Sequence, residues 1–257
     1  MARTRAFALF VAVVLALAGC SAFFDFNAFS SLDKAAVPDP SRYQGAGGLG
    51  NLQADLASPS VVEALKSSPA TVSAILTNLD ADYHVTTTPP TNSTEQIAAI
   101  LYSDLALKST SGDELVNNVA DLLVNPPGNI ASVLQSIVPA DVAADPAKFL
   151  SMVNGLLAAN VVYQNLGASL DPASPPPGMN MGDVAQKAAV AYLMERVDAA
   201  VASDVNPLNE VDEMFKMVNN QPNAISPGLS TTPANPLNPL PGWLANIFDA
   251  AGAPYPA

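Results

Sequence analysis

Apolar positions recur at helical spacing from residue 51 to the C-terminus. Val72, Ile75, Leu76 and Leu79 follow Pro69 at offsets of 3, 6, 7 and 10. Ile130, Val133, Leu134 and Ile137 follow Pro127 at the same offsets, as do Phe149, Met152, Val153 and Leu156 after Pro146. Such spacing lays one apolar stripe along a 3.6-residue helix. The start signals agree with it. Ser68-Pro69 and Asp145-Pro146 place a capping acceptor before a proline at the first helical position. Asn129 offers a cap near Pro127. Ser111-Gly112-Asp113-Glu114 matches a capping box, and Asn92 with Glu95 gives a similar pair. The pattern predicts helices over 51–57, 59–67, 69–83, 93–109, 112–124, 129–138, 146–168, 181–203, 207–220 and 241–251.

No segment alternates with the two-residue period of a half-buried strand for long enough to suggest a sheet. The expected fold is therefore all-α: a multi-helix bundle, or an irregular α-helical repeat or solenoid, with proline-rich loops. The three prolines stand 58 and 19 residues apart, so they define no single repeat period. Two stretches interrupt the helices. Asp171 to Gly178 holds consecutive prolines and reads as a loop. Residues 222–242 carry Pro222, Pro227, Pro233, Pro236, Pro239 and Pro241, and should run extended over the surface. That run delivers Trp243, Leu244, Ile247 and Phe248 as a terminal helix with a compact apolar face, expected to dock.

Composition narrows the function classes. The chain has 257 residues and a formal charge of −13, with 49% apolar and only 13% charged residues. So apolar a chain does not stay disordered throughout. So acidic a chain is poorly suited to nucleic acid, where affinity comes from neutralising phosphates, or to electrostatic docking on anionic lipid. Cys20 is the one cysteine.

The N-terminus carries its own pattern. Arg3 and Arg5 precede an apolar run from Ala6 to Ala18, after which small residues lead to Cys20. Charged, apolar and small regions in that order form a secretory signal peptide. The run is 13 residues, short of the ~20 that span a bilayer. Leu17-Ala18-Gly19-Cys20 resembles the lipobox of bacterial lipoproteins. The resemblance covers residues 1–20 only. It implies cleavage between Gly19 and Cys20, a diacylglycerol on the Cys20 sulfur, and acylation of the new amine in many bacteria. Two or more acyl chains anchor stably where one does not. Ser21, where aspartate would favour inner-membrane retention, leans towards the outer membrane. With Cys20 lipidated, no thiol remains for a disulfide, a metal or nucleophilic catalysis.

The layout expected from these signals is a signal peptide over 1–19, a lipidated tether over 20–50 and an α-helical domain over 51–257. In the tether, Phe23, Phe24, Phe26 and Phe29 pack on the domain or rest at the membrane interface. Gly45 to Gly50 reads as a flexible link.

Candidate chemistry is sparse. His84 is the one histidine. Asp80 lies four residues before it, on the same helix face, but zinc needs three or four ligands and a calcium loop needs several carboxylates with a central glycine. His84 reads as a solvated helix end, and no metal or cofactor is expected. Neither a nucleophile elbow nor a phosphate-cradling glycine loop is present. Asp113, Glu114, Asp212 and Glu213 suit helix starts, where the macrodipole favours negative charge. Glu195, Arg196 and Asp198 read as a solvated face. Tyr83, Tyr102, Tyr163 and Tyr192 fall within or at the end of helices, as core residues or as the lining of a groove. The expectation is a non-enzymatic lipoprotein, tied to the cell envelope, that presents a groove to a protein partner or small ligand as part of an envelope assembly or transport complex. The alternative is an envelope hydrolase or lyase using paired carboxylates.

Overall fold

The computed structural model describes residues 35–116, 129–202, 210–221, 224 and 240–253. Contacts divide the chain into Met1–Ala36 and Val37–Ala257, and the architecture below is that of the second unit. A 3-10 turn, Pro40–Tyr43, leads into α1 (Gly45–Leu56), α2 (Pro59–Lys66), α3 (Pro69–Tyr83) and α4 (Ser93–Lys108). A second 3-10 turn, Gly112–Leu115, follows. Then come α5 (Ile130–Ile137), α6 (Ala140–Ala143), α7 (Pro146–Ser169), α8 (Met181–Ala202), α9 (Glu210–Val218) and α10 (Gly242–Ala250). No strand occurs among the described residues, so the fold is all-α as the spacing predicts. No described helix is long and apolar enough to cross a membrane.

Local caps explain several boundaries. Asn92 Oδ1 accepts from Glu95 N at 3.1 Å, while Glu95 Oε2 reaches back to accept from Thr91 N. Asn129 accepts from Ser132 N at 2.8 Å, and Asp145 from Ala147 N at 2.9 Å. Each satisfies amides at a helix start that have no intrahelical partner. Ser68 departs from expectation. Its hydroxyl donates to Thr71 Oγ1 at 2.8 Å and does not cap α3, so Pro69 carries the start.

Two further sequence readings need correction. The glycine-rich stretch from Gly45 to Gly50 is helical and opens α1, so the helix begins six residues before the position expected, 51. Gly48 serves close approach: a Cβ there would sit 2.2 Å from the Tyr43 carbonyl carbon. Tyr43 is buried, and its hydroxyl donates to Asp55 at 2.8 Å, fixing the turn on α1. Ser111 forms no capping box. It adopts a left-handed φ of 61° and makes no side-chain cap, and only the short turn Gly112–Leu115 follows. The rest of the helix expected over 112–124 lies mostly outside the described residues, as does most of the proline-rich run 222–242. The one-turn α6 was not signalled by any stripe, since four residues cannot show one.

The long helix α7 is the hub. It packs against α4, α8 and α10, and also touches α6 and α9. Its buried residues, from Phe149 and Met152 through Ala159, Val162 and Tyr163 to Leu166, form one broad face, while Leu150, Ser151, Asn154, Val161 and Gln164 on the other side are exposed. A face that broad suits a helix packed against several neighbours at once. Two glycines allow the closest crossings. A Cβ on Gly155 would meet Thr110 Oγ1 at 2.3 Å and the Ala106 carbonyl oxygen at 2.8 Å, so α4 lies directly on this point. A Cβ on Gly167 would sit 2.1 Å from the Trp243 carbonyl oxygen. There Asn246 Nδ2 donates to the Gly167 carbonyl at 2.8 Å. The terminal helix α10 is docked as its apolar face implies. Leu244 and Ile247 are fully buried, each worth about 1.5–3 kcal/mol. Trp243 meets Tyr192 edge-on with ring centres 5.8 Å apart.

Candidate binding groove

Helices α3 and α7 both pack on α4 but scarcely on each other. A groove of about 910 Å³ opens between them. Its α3 wall carries Ser73, Leu76, Thr77 and Asp80, its α7 wall Ser151 and Asn154, and Tyr102 of α4 lies between. The walls follow from helix periodicity. Val72, Ile75 and Leu79 turn into the core, which leaves Ser73 and Thr77, four apart, on the neighbouring face. On α7, Met152 and Val153 are buried while Ser151 and Asn154 stay exposed. Thr110 and Ser109, at the end of α4, extend the lining into a second cleft of about 640 Å³. Lys66, Ser109, Thr110 and Ser151 border both clefts.

The charged groups in the groove are already engaged. Lys66 Nζ lies 3.3 Å from both Glu63 and Glu114. Burial works against the Lys66 charge, but Glu114 and Glu63 outweigh it and hold its pKa above the ordinary value. Asp80 Oδ1 accepts from Thr86 N at 2.9 Å and from Thr86 Oγ1 at 2.8 Å, which closes the turn after α3. By contrast, the side chains of Ser73, Thr77, Tyr102, Ser151 and Asn154 make no hydrogen bond among the described residues. They are free to donate and accept.

A second polar cluster sits on another side of α4. Lys187 Nζ, with its side chain 6% exposed, lies 2.8 Å from Asp104 and 2.6 Å from Asp183. Burial raises the Asp104 pKa above its ordinary value, and Lys187 opposes the rise. Burial would lower the Lys187 pKa, but Asp104 and Asp183 hold it raised. Tyr163 is fully buried nearby, and burial together with the Asp104 and Asp183 charges pushes its phenol well up. Ser103 faces Tyr163 closely enough to moderate that rise, yet neither hydroxyl makes a well-formed hydrogen bond. Here two carboxylates do converge, but a lysine holds them as an ion cluster.

The sequence-marked residues separate between these places. Tyr102 lines the groove. Tyr163 belongs to the buried cluster, Tyr192 to the α10 contact, and Tyr83 sits at the end of α3 with a buried hydroxyl that has no hydrogen-bond partner among the described residues. His84 is exposed and ends α3 in a left-handed conformation with φ 53°, while Asp80 turns to Thr86. Asp113 is partly buried, and burial raises its pKa. Glu114 reaches Lys66 rather than the Ser111 backbone. Asp212 pairs with Lys216 at 2.8 Å in the first described turn of α9, and Glu213 is buried. Asp198 departs from a simple solvated face. Burial and the neighbouring Glu210 carboxylate raise its pKa. Among the described residues, no cluster of three or more histidine, cysteine, aspartate or glutamate side chains is arranged to hold a metal. Gly19, Cys20 and the four tether phenylalanines lie outside the described residues.

The groove residues Ser73, Thr77, Ser151 and Asn154 were not marked in the sequence. Their signal is faint: small polar side chains, four or three apart, flanking an apolar stripe. No protein-family model, curated protein or solved structure matches this chain. Function is therefore read from the groove itself.

Proposed function

We propose that the chain is a lipid-anchored envelope lipoprotein whose helical domain is a binding module, serving an envelope assembly or transport complex. The observation that carries the binding reading is the groove between α3 and α7, with five side chains free to hydrogen-bond. Ligand sites are concave, mix apolar surface with a few polar groups, and span about 300–1,000 Å³. This groove has that size and that mixture, with Leu65, Val72 and Leu76 beside the hydroxyls. The anchor rests on the lipobox resemblance at Leu17 to Cys20 alone.

Two experiments test the two halves. Cys20→Ser should move the protein from membranes to the soluble fraction, and retention in the membrane contradicts the anchor. Affinity capture from detergent-solubilised membranes, run with the native chain and with Ser151→Trp, tests the groove. A companion recovered with the native chain and lost with the variant supports binding there. Equal recovery by both places the interaction elsewhere on the molecule.

A further inference from the structure

The same groove also constrains what it binds. We infer that it takes a neutral polyhydroxylated ligand, a short glycan segment, with Tyr102 as the platform for a sugar face and Ser73, Thr77, Ser151 and Asn154 as the polar walls. This inference rests on the binding reading above and narrows it to one ligand class.

Charge argues first. The cation and the carboxylate that line the main groove, Lys66 and Asp80, are committed to Glu63 and Glu114 and to Thr86. An anionic ligand would find no uncommitted cation there and would face Asp80. A cationic ligand would have to draw Asp80 away from the turn that it closes. Ions are bound tightly where charge-assisted hydrogen bonds are available, and the groove holds none in reserve.

Hydrogen-bond chemistry argues next. The five free side chains are four hydroxyls and one amide, each able to donate and to accept. A sugar hydroxyl has the same dual character, so pairs form in either direction. A fatty chain would cover these groups without replacing their water, and burying an unpaired polar group is unfavourable. Shape argues last. Tyr102 is half-buried, with Val72 and Leu76 lining the same groove, so the site has an apolar patch among hydroxyls. Tyrosine presents an apolar ring and a polar tip together, which suits a ligand whose ring faces are apolar and whose edges are polar.

The test is calorimetric titration of the full chain, held in a sugar-free zwitterionic detergent. The probes are a panel of neutral tetrasaccharides built on glucose, mannose, galactose and N-acetylglucosamine, with a sulfated tetrasaccharide and palmitate as contrasts. At least one neutral tetrasaccharide should bind, and the contrasts should not. Tyr102→Ala should weaken that binding by about tenfold or more. Thr77→Val, which keeps the shape of an exposed residue, should weaken it by about threefold to tenfold with an unchanged circular dichroism spectrum. Binding that survives both substitutions overturns the assignment to this groove. Palmitate or the sulfated sugar binding in place of the neutral panel, with sensitivity to Thr77→Val, overturns the ligand class and leaves the binding reading intact. If no probe binds and the Ser151→Trp capture still loses its companion, the glycan inference fails alone. If that capture is unchanged as well, both fail.

Discussion

Helix α4 carries polar groups on two sides, and the two sides solve opposite problems. On one side Asp104, its side chain 16% exposed, meets the buried Lys187 at 2.8 Å. Tyr102, two residues earlier, opens on the groove between α3 and α7, where Ser73, Thr77, Ser151 and Asn154 make no side-chain hydrogen bond among the described residues. In the closed cluster each charge needs the others, because a buried ion without a partner is strongly unfavourable. In the groove, water satisfies the hydroxyls until something replaces it. The pairing of polar groups therefore separates what holds the fold from what is available to a ligand.

The largest effect should come from breaking the closed side. Lys187→Met leaves Asp104 beside Asp183 without its hydrogen-bonded cation, and Lys108, which donates to the Leu56 carbonyl, is the remaining positive charge nearby. The substitution should cost about 3–5 kcal/mol in urea unfolding. The double change Lys187→Met with Asp104→Leu removes both buried charges and should recover most of that loss, because a hydrophobic replacement of a buried pair is often neutral. A single-variant loss below about 1 kcal/mol would mean that water reaches Asp104 freely and that the two sides of α4 do not differ.

A smaller effect is expected where α4 and α7 touch. Gly155→Ala drives a methyl to 2.3 Å from Thr110 Oγ1 and 2.8 Å from the Ala106 carbonyl oxygen. Thr110 can rotate, but the carbonyl is backbone, so the helices must separate. Overpacking of this kind costs about 1–3 kcal/mol. Thr110 also borders the groove, so the same variant should change ligand binding. Loss of stability without any change in binding would separate the crossing from the groove.

These two sites also show what the sequence discloses. Asn92, Asn129 and Asp145 are legible because a cap acts on amides two or three residues away. The stripes on α3 and α7 are legible because 3.6-residue periodicity is local. The Ser111 box fails for a tertiary reason. Gly112 is buried, with its Cβ position 3.0 Å from Leu107 and 3.4 Å from Leu156, so the core dictates the turn. The glycines of α1 look like a flexible link until Gly48 is seen against the Tyr43 backbone. The groove was legible only at Tyr102. Whether Ser73 and Ser151 face open space depends on how far α3 stands from α7, and no local pattern encodes that distance. Lys187 and Asp183, four apart on α8, form a readable helical pair, but Asp104 comes from 83 residues away.

The closed cluster should also show itself at high pH. The folded state holds Lys187 charged, with its pKa raised above 10.5, and Tyr163 neutral, with its pKa raised well above 10.0. A group whose folded pKa is raised stabilises the fold below its unfolded pKa and loses that contribution as pH rises past it. The contribution of both groups is thus complete at neutral pH and declines above about pH 10. Tyr163→Phe removes the phenol's share, so the variant should lose less stability than the native chain between neutral and strongly alkaline pH. An identical decline in both proteins would show that Tyr163 ionises as freely folded as unfolded.

The smallest effect should come from the open side. Ser73, Thr77 and Ser151 are exposed and make no side-chain hydrogen bond among the described residues. Removing their hydroxyls breaks no internal contact and leaves no buried group unpaired. Thr77→Ala and Ser151→Ala should each shift stability by no more than about 0.5 kcal/mol, the range of surface substitutions. Their sites lie on different helices and share no hydrogen bond, so the double variant should be close to additive. The same double variant should weaken a groove ligand by more than either change alone. Stability that fell as far as in Lys187→Met would show that these hydroxyls hold the fold after all. Unchanged stability with weakened binding is the outcome that separates the two sides of α4, since only a group free of structural duty can be removed at no cost to the fold and still be missed by a ligand.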